Sequence, residues 1–252
     1  IMKIRFLGTG VGIPQVGRVQ SGLIMEMGGK PVLFDCGCGV LGRITEAGYD
    51  HTDIDNIVLT HLHLDHVGDV LALLKANWLV GKTDMRIFGP KGTQEWFGKV
   101  METYDYLKGR FEVEITELAG GERFTPEGID CSITCAPTVH STPSLAYRVE
   151  CREKTVVYTG DTEPSEPVFK FASGADIMIH ECSFPLGFEM TMHTTPDMFT
   201  DVLGQVTLDV GKLYFMHLYP QMQGHEQEAV DYLKQYFDGE VIIASDLMEV
   251  EV

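Results

Sequence analysis

No run in this sequence approaches the roughly 18 uninterrupted apolar residues that a membrane-spanning helix needs, which argues against a membrane protein. Residues 1–8, Ile-Met-Lys-Ile-Arg-Phe-Leu-Gly, lack the long apolar core and cleavage site of a secretory leader and read as a strand. Positive charge is scarce: 19 Lys and Arg stand against 37 Asp and Glu, a formal net charge of −18. Such a chain repels phosphate backbones unless its cations gather locally, and Lys82, Arg86, Lys91, Lys99, Lys108 and Arg110 are scattered. Cysteine is sparse too, six in 252 residues with only Cys36 and Cys38 close together. The expectation is reduced thiols, the Cys36/Cys38 pair as small buried turn residues, and the cytoplasm as compartment. Tandem repeats and low-complexity linkers are absent, so residues 1–252 are expected to form a single domain.

What is present is a mixture of short apolar runs and helix-like stretches. Strands are expected at 3–7, 31–35, 56–60, 86–88, 111–117, 129–136, 145–150, 154–159, 175–179, 212–216 and 241–244. Helices are expected at 68–80, 93–106, 196–206 and 225–237, where apolar residues recur at three-to-four spacing. The fold class is therefore α/β, layered, with more than one sheet. Chemically useful residues end several strands: Asp35, His61, Asp161, His180 and His217. Functional groups of α/β proteins collect at strand ends, so five such endings point to one shared site.

The hexapeptide His61-Leu62-His63-Leu64-Asp65-His66 follows a strand directly. In extended backbone His61, His63 and Asp65 face one side while Leu62 and Leu64 turn inward; His66 breaks the alternation where a helix starts near Gly68. Imidazole and carboxylate are donors suited to zinc and other divalent first-row metals, so the segment is a metal motif. Its four donors do not complete two sites, and His140, Asp161 and His217 are the candidates for the remainder. His51 and His225 stand alone and read as surface residues. Gly8-Thr9-Gly10-x-Gly12 reads as a turn facing the site.

The set His61-x-His63-x-Asp65-His66, His140, Asp161 and His217 resembles the metallo-β-lactamase superfamily. That resemblance implies a four-layer αβ/βα sandwich with the metals at one edge of two facing sheets. It implies two divalent ions, zinc first with manganese or iron(II) as alternatives. The first is held by His61, His63 and His140, the second by Asp65, His66 and His217, and Asp161 bridges them. Leu7-Gly8-Thr9-Gly10 followed by Pro14 and Arg18, Phe34-Asp35-Cys36-Gly37, Thr60-His61-Leu62-His63-x-Asp65-His66-x-Gly68, Gly89-Pro90-x-Gly92, Pro143 to Arg148, His180-Glu181-Cys182-Ser183-Phe184 and His193-Thr194-Thr195 are similar to the ribonuclease Z branch. By that likeness His193 is a general acid or oxyanion donor, Glu181 orients it, Asp65 accepts a proton, and Asp35 supports the ligands.

Two departures narrow the expectation. Members that process tRNA carry a protruding arm between the positions of His140 and Asp161, and here a hairpin at 151–154 fills that short interval. Cys38 stands where the branch often has Glu. The expected activity is thus a metal-dependent hydrolase, a phosphodiesterase on a small or short ester substrate. The alternatives are tRNA 3′ endonuclease, hydrolysis of a lactone, thioester or sulfate ester, and a metal-holding module without catalysis. No membrane partner is expected, tRNA is the less favoured substrate, and the branch implies a homodimer.

Overall fold

The computed structural model describes residues 2–252; Ile1 lies outside the described residues. The chain begins with β1 (Lys3–Gly8), β2 (Gly22–Met27) and β3 (Lys30–Phe34). There follow α1 (Val40–Glu46), β4 (Asn56–Val58), α2 (Leu64–Val67), α3 (Val70–Leu79), β5 (Asp84–Pro90), α4 (Thr93–Thr103) and β6 (Glu112–Leu118). The second half opens with β7 (Arg123–Phe124), β8 (Ser132–Pro137), β9 (Leu145–Cys151) and β10 (Lys154–Tyr158). It closes with α5 (Glu166–Ala172), β11 (Ala175–Glu181), α6 (Pro196–Leu203), β12 (Val210–Met216), α7 (Glu226–Leu233), β13 (Glu240–Ile243) and β14 (Glu249–Glu251).

Two seven-stranded sheets result, in the orders β14-β1-β2-β3-β4-β5-β6 and β13-β12-β11-β10-β9-β8-β7. Each is mixed: β3 to β6 run parallel in one, β10 to β13 in the other. Period-two alternation sorts the side chains. From β3, Val32 and Phe34 enter the core between the sheets, where they join Tyr147, Tyr158 and Ile179 of the opposite sheet. Leu33 points the other way, into a cluster with Val40 and Ile44 of α1 and Leu73 of α3. On the far side, Met178 and Phe215 pack with Phe169 of α5, Phe199 of α6 and Leu233 of α7. Helix, sheet, sheet, helix: this is the expected four-layer α/β sandwich. No helix among the described residues is long and apolar enough to cross a membrane.

Three details correct the sequence reading. Cys131 and Cys151 are joined in a disulfide, whereas all six cysteines were expected reduced. The reason is register: Ser132 pairs with Glu150, so Cys131 and Cys151 stand opposite each other with Cα atoms 4.5 Å apart. The other four are free, and Cys38 is exposed rather than buried. His51 is not a bare surface residue either, because its Nδ1 lies 2.6 Å from Asn77 Oδ1 at the foot of α3.

Candidate metal centre

The hexapeptide does not stay extended. It leaves β4, runs extended through His63, and turns into α2 at Leu64. Leu64 is therefore 72% exposed, not inward, and only Leu62 packs against the core. The helix starts earlier than Gly68, and the turn separates the donors into two groups. His61 and His63 meet His140 and Asp161, while Asp65 and His66 meet His217. Within each group the candidate ligand atoms all lie within 4.8 Å of one another. Asp161 reaches both, with Oδ2 3.8 Å from His61 Nε2 and 3.2 Å from His217 Nε2, and Oδ1 3.3 Å from His66 Nε2.

The rings are oriented by their outer nitrogens. His61 Nδ1 lies 3.0 Å from Thr60 Oγ1, His66 Nδ1 lies 2.8 Å from Asp35 Oδ2, and His217 Nδ1 lies 3.0 Å from Ser183 Oγ. His140 Nδ1 lies 2.8 Å from the Met192 carbonyl. Each contact turns the other nitrogen inward, the arrangement metal-bound histidines use. His61 Nε2, His66 Nε2, His217 Nε2 and Asp161 Oδ1 are buried and make no hydrogen bond among the described residues. Such atoms are costly to bury unpaired, and imidazole plus carboxylate donors fit a divalent first-row metal.

Asp35 is the hub behind this cluster. Fully buried, it accepts from Thr60 N at 2.8 Å, Thr60 Oγ1 at 2.9 Å and Tyr158 Oη at 2.8 Å, besides His66. The turn after β10 depends on Gly160, whose φ is +59° and where a Cβ would come within 2.6 Å of Thr60 Cβ. Gly12 N donates to Asp65 Oδ2 at 3.0 Å, so the glycine turn after β1 does face the site.

Electrostatics follow the packing. Burial, with the charge of His66 next, holds the His61 imidazole well below its ordinary value. Burial works against ionised Asp65, but its contact with His217 and the charge of His66 outweigh it and hold the carboxyl down. His193 lies at the opening, its Nδ1 3.0 Å from Glu181 Oε1 and 4.0 Å from Asp161 Oδ2. Burial lowers its pKa, yet the hydrogen bond and charge of Glu181 raise it above the ordinary value. Glu181 also accepts from Thr162 N, Thr194 N and Ser183 Oγ. The two side chains are thus paired with each other beside Asp161. His180 is a buried structural residue, its ring edge-on to Phe169, Phe199 and Phe215.

Sequence reasoning missed Ser183, Thr60 and Tyr219. The first two were readable only as neighbours of singled-out residues. Tyr219 had no signal beyond lying two residues after His217, yet its ring stands 5.9 Å from that of His217 and 5.6 Å from that of His193. Burial, then the charges of Asp161, Asp65 and Glu181, pushes its hydroxyl up to about 12.

The sequence profile of the family described as "Beta-lactamase superfamily domain" matches residues 30–218. The chain belongs to the metallo-β-lactamase superfamily. Ribonuclease Z of Methanosarcina mazei is 28% identical over an aligned length of 306, covering 100% of this chain and 98% of the relative. Among solved structures, the metallo-β-lactamase fold protein YhfI from Bacillus subtilis superposes with TM-score 0.85 at 25% identity, covering 100% and 99% of the two chains. The short form of human tRNase Z gives TM-score 0.79 at 22% identity, covering 99% of each chain. Together they put the chain in the ribonuclease Z-like branch and make it a metal-dependent hydrolase. The alignment with the archaeal relative exceeds the 252 residues of this chain by 306 − 252 = 54 positions, residues that this metallo-β-lactamase member lacks. Between His140 and Asp161 it has only the β9–β10 hairpin, closed by Cys151 opposite Lys154.

Proposed function

We propose that this hydrolase is a dinuclear phosphodiesterase acting on a small or short substrate. His61, His63 and His140 would hold one ion, Asp65, His66 and His217 the other, and Asp161 would serve both. Four buried, unpaired donor atoms, distributed over two groups of ligand-type side chains that Asp161 joins, carry this reading. Zinc suits the donor set, with manganese or iron(II) as substitutes. When bound, two divalent ions supply a water acidic enough to attack at neutral pH and offset the charge on the phosphate oxygens.

The chain's own residues do the rest. Asp65 Oδ2, held by the Gly12 N–H, takes the proton of the attacking water. His193, aligned by Glu181, whose carboxylate favours the protonated ring, donates to the departing oxygen at the opening of the site. Chain-wide charge favours a short substrate. Twelve of the 19 basic residues, including Lys82, Arg86, Lys99 and Lys108, already sit within 4.0 Å of a carboxylate among the described residues. Little free positive charge is left to grip a long backbone. Residues 2–252 are read as one domain because the central core draws on both sheets. The cytoplasm is the proposed compartment: four of the six thiols are free, which supports it, while the Cys131–Cys151 disulfide counts against it.

The test is metal content and hydrolysis of bis(p-nitrophenyl) phosphate in the wild type and in His63→Ala. The variant should lose metal and turnover together; full activity in it contradicts the reading. The relative named Ribonuclease Z favours a second reading, tRNA 3′-end processing. Incubation with a precursor tRNA at ordinary salt separates the two, since absence of cleavage removes the second.

A further inference from the structure

A cavity of about 360 Å³ opens beside the metal centre, between the loop that follows β1 and the segment that follows β12. Tyr219 is the wall they share, and the same loop touches the centre through Gly12 and Asp65. Neither the ligand set nor the His193–Glu181 pair uses this space. Its volume lies within the ordinary range for small-ligand pockets.

The lining combines flat apolar walls with an edge of both polarities. Tyr219, Pro14 and Pro220 form the walls; Arg18, Glu226 and the amides of Gln15 and Gln223 form the edge. Arg18 is the informative residue. It is half-buried and, unlike most cations of this chain, has no carboxylate within 4.0 Å among the described residues. Its Nη1 is fixed by Thr9 Oγ1 and by the Ala244 carbonyl, while Nε and Nη2 make no hydrogen bond among the described residues. Asp246, reached through the shared Thr9 hydroxyl, and after it Glu226 stand close enough for their charges to act on this guanidinium; of Glu226 only Oε2 is engaged, by Gly224 N at 2.7 Å. Gln15 spends Nε2 on the Leu218 carbonyl at 2.8 Å and keeps Oε1.

A second phosphate in this cavity would meet Glu226 as well as Arg18. An apolar group would leave both charges desolvated without partners. A flat ring with acceptors on one part of its edge and donors on the next satisfies every group. Guanine has that edge: O6 and N7 accept from a guanidinium, and N1–H and the N2 amino group donate to a carboxylate. Its π face suits the Tyr219 ring.

We propose that this cavity is a base subsite that reads guanine in a nucleotide whose phosphate reaches the metal centre. The proposal rests on the phosphodiesterase reading for the fate of that phosphate, while base recognition is measurable without turnover. The experiment is equilibrium dialysis of the metal-loaded full chain with guanosine 5′-monophosphate, adenosine 5′-monophosphate and ribose 5-phosphate. Guanosine monophosphate should bind about tenfold or more tightly than ribose 5-phosphate, the scale of one bidentate base contact. Adenosine monophosphate should be weaker than guanosine monophosphate, because its N6 amino group faces Arg18. Glu226→Gln and Tyr219→Leu should each erase most of the preference, and Glu226→Gln, a half-buried helix-start position that keeps nearly the same shape, is the safer variant for folding. Equal affinity for all three ligands overturns the proposal, as does a preference that Glu226→Gln leaves intact. Hydrolysis of bis(p-nitrophenyl) phosphate without a guanosine preference overturns the subsite and leaves the phosphodiesterase reading standing; preference without hydrolysis does the reverse.

Discussion

The two sheets supply the centre in opposite ways. The first contributes His61, His63, Asp65 and His66 from a single strand-to-helix turn, so that half is organised by local backbone. The second contributes His140, Asp161, Glu181 and His217 from four separate strand ends. Their meeting depends on register: Tyr158 pairs with Ile179 and Ile179 with Tyr214, so the parallel strands release their last residues at one edge. The halves are then stitched together by the Tyr158 hydroxyl on Asp35, the Tyr147 hydroxyl on the Leu59 carbonyl at 2.7 Å, and Leu145 N on the Thr60 carbonyl at 2.9 Å. A local half and an assembled half share one residue, Asp161, and this asymmetry says where each kind of damage should register.

Asp161→Ala strikes the shared residue and should have the largest effect. Hydrolysis should fall by roughly a hundredfold or more, beyond the usual cost of losing a supporting contact, and metal content measured by plasma mass spectrometry should fall with it. Next comes a matched pair. Asp35→Asn weakens support for His66 in the local half and should cost about 10- to 100-fold in metal affinity, read by chelator competition. Glu181→Gln, in the assembled half, should cost about 10- to 100-fold in kcat with a smaller loss of metal, because it leaves His193 without its charged partner. Equal effects of the two on metal affinity would dissolve the distinction between the halves.

Smaller effects concern the frame. Gly160→Ala puts a side chain at φ +59° against Thr60, and should lower stability by about 2 kcal/mol, read from the urea midpoint. The smallest involves His180. Burial holds its pKa below the ordinary value, so the unfolded chain takes up a proton that the folded chain refuses. The associated stability is complete above about pH 6.5 and falls as the pH drops below it. His180→Phe should show a flatter decline in melting temperature between about pH 6.5 and 5 than the wild type.

The same asymmetry governs how much was legible in the sequence. The hexapeptide could be read as a metal motif from donor types and spacing alone, although its turn at Leu64 could not. Period two misjudges a segment that becomes helical halfway. The distant donors were recognisable only as polar strand endings, and their grouping came from family likeness, because parallel register is not written in any one strand. Strands showed where β-branched runs were bounded by turns, as at 154–159. β2 escaped because nearly all of it is buried on both faces and has no alternation, and α1 because it is one short segment interrupted by Gly42. The Cys131–Cys151 link was invisible for a similar reason: it follows from the pairing of β8 with β9, not from the 20-residue spacing.

The central claim is that hydrolysis requires two divalent ions held across the two sheets. Its most direct test is to strip the purified chain with chelator and follow phosphodiester hydrolysis as zinc is added back in known equivalents. The account predicts no turnover in the stripped protein and activity that saturates at two zinc ions per chain in the wild type. Hydrolysis that survives complete removal of metal would contradict it.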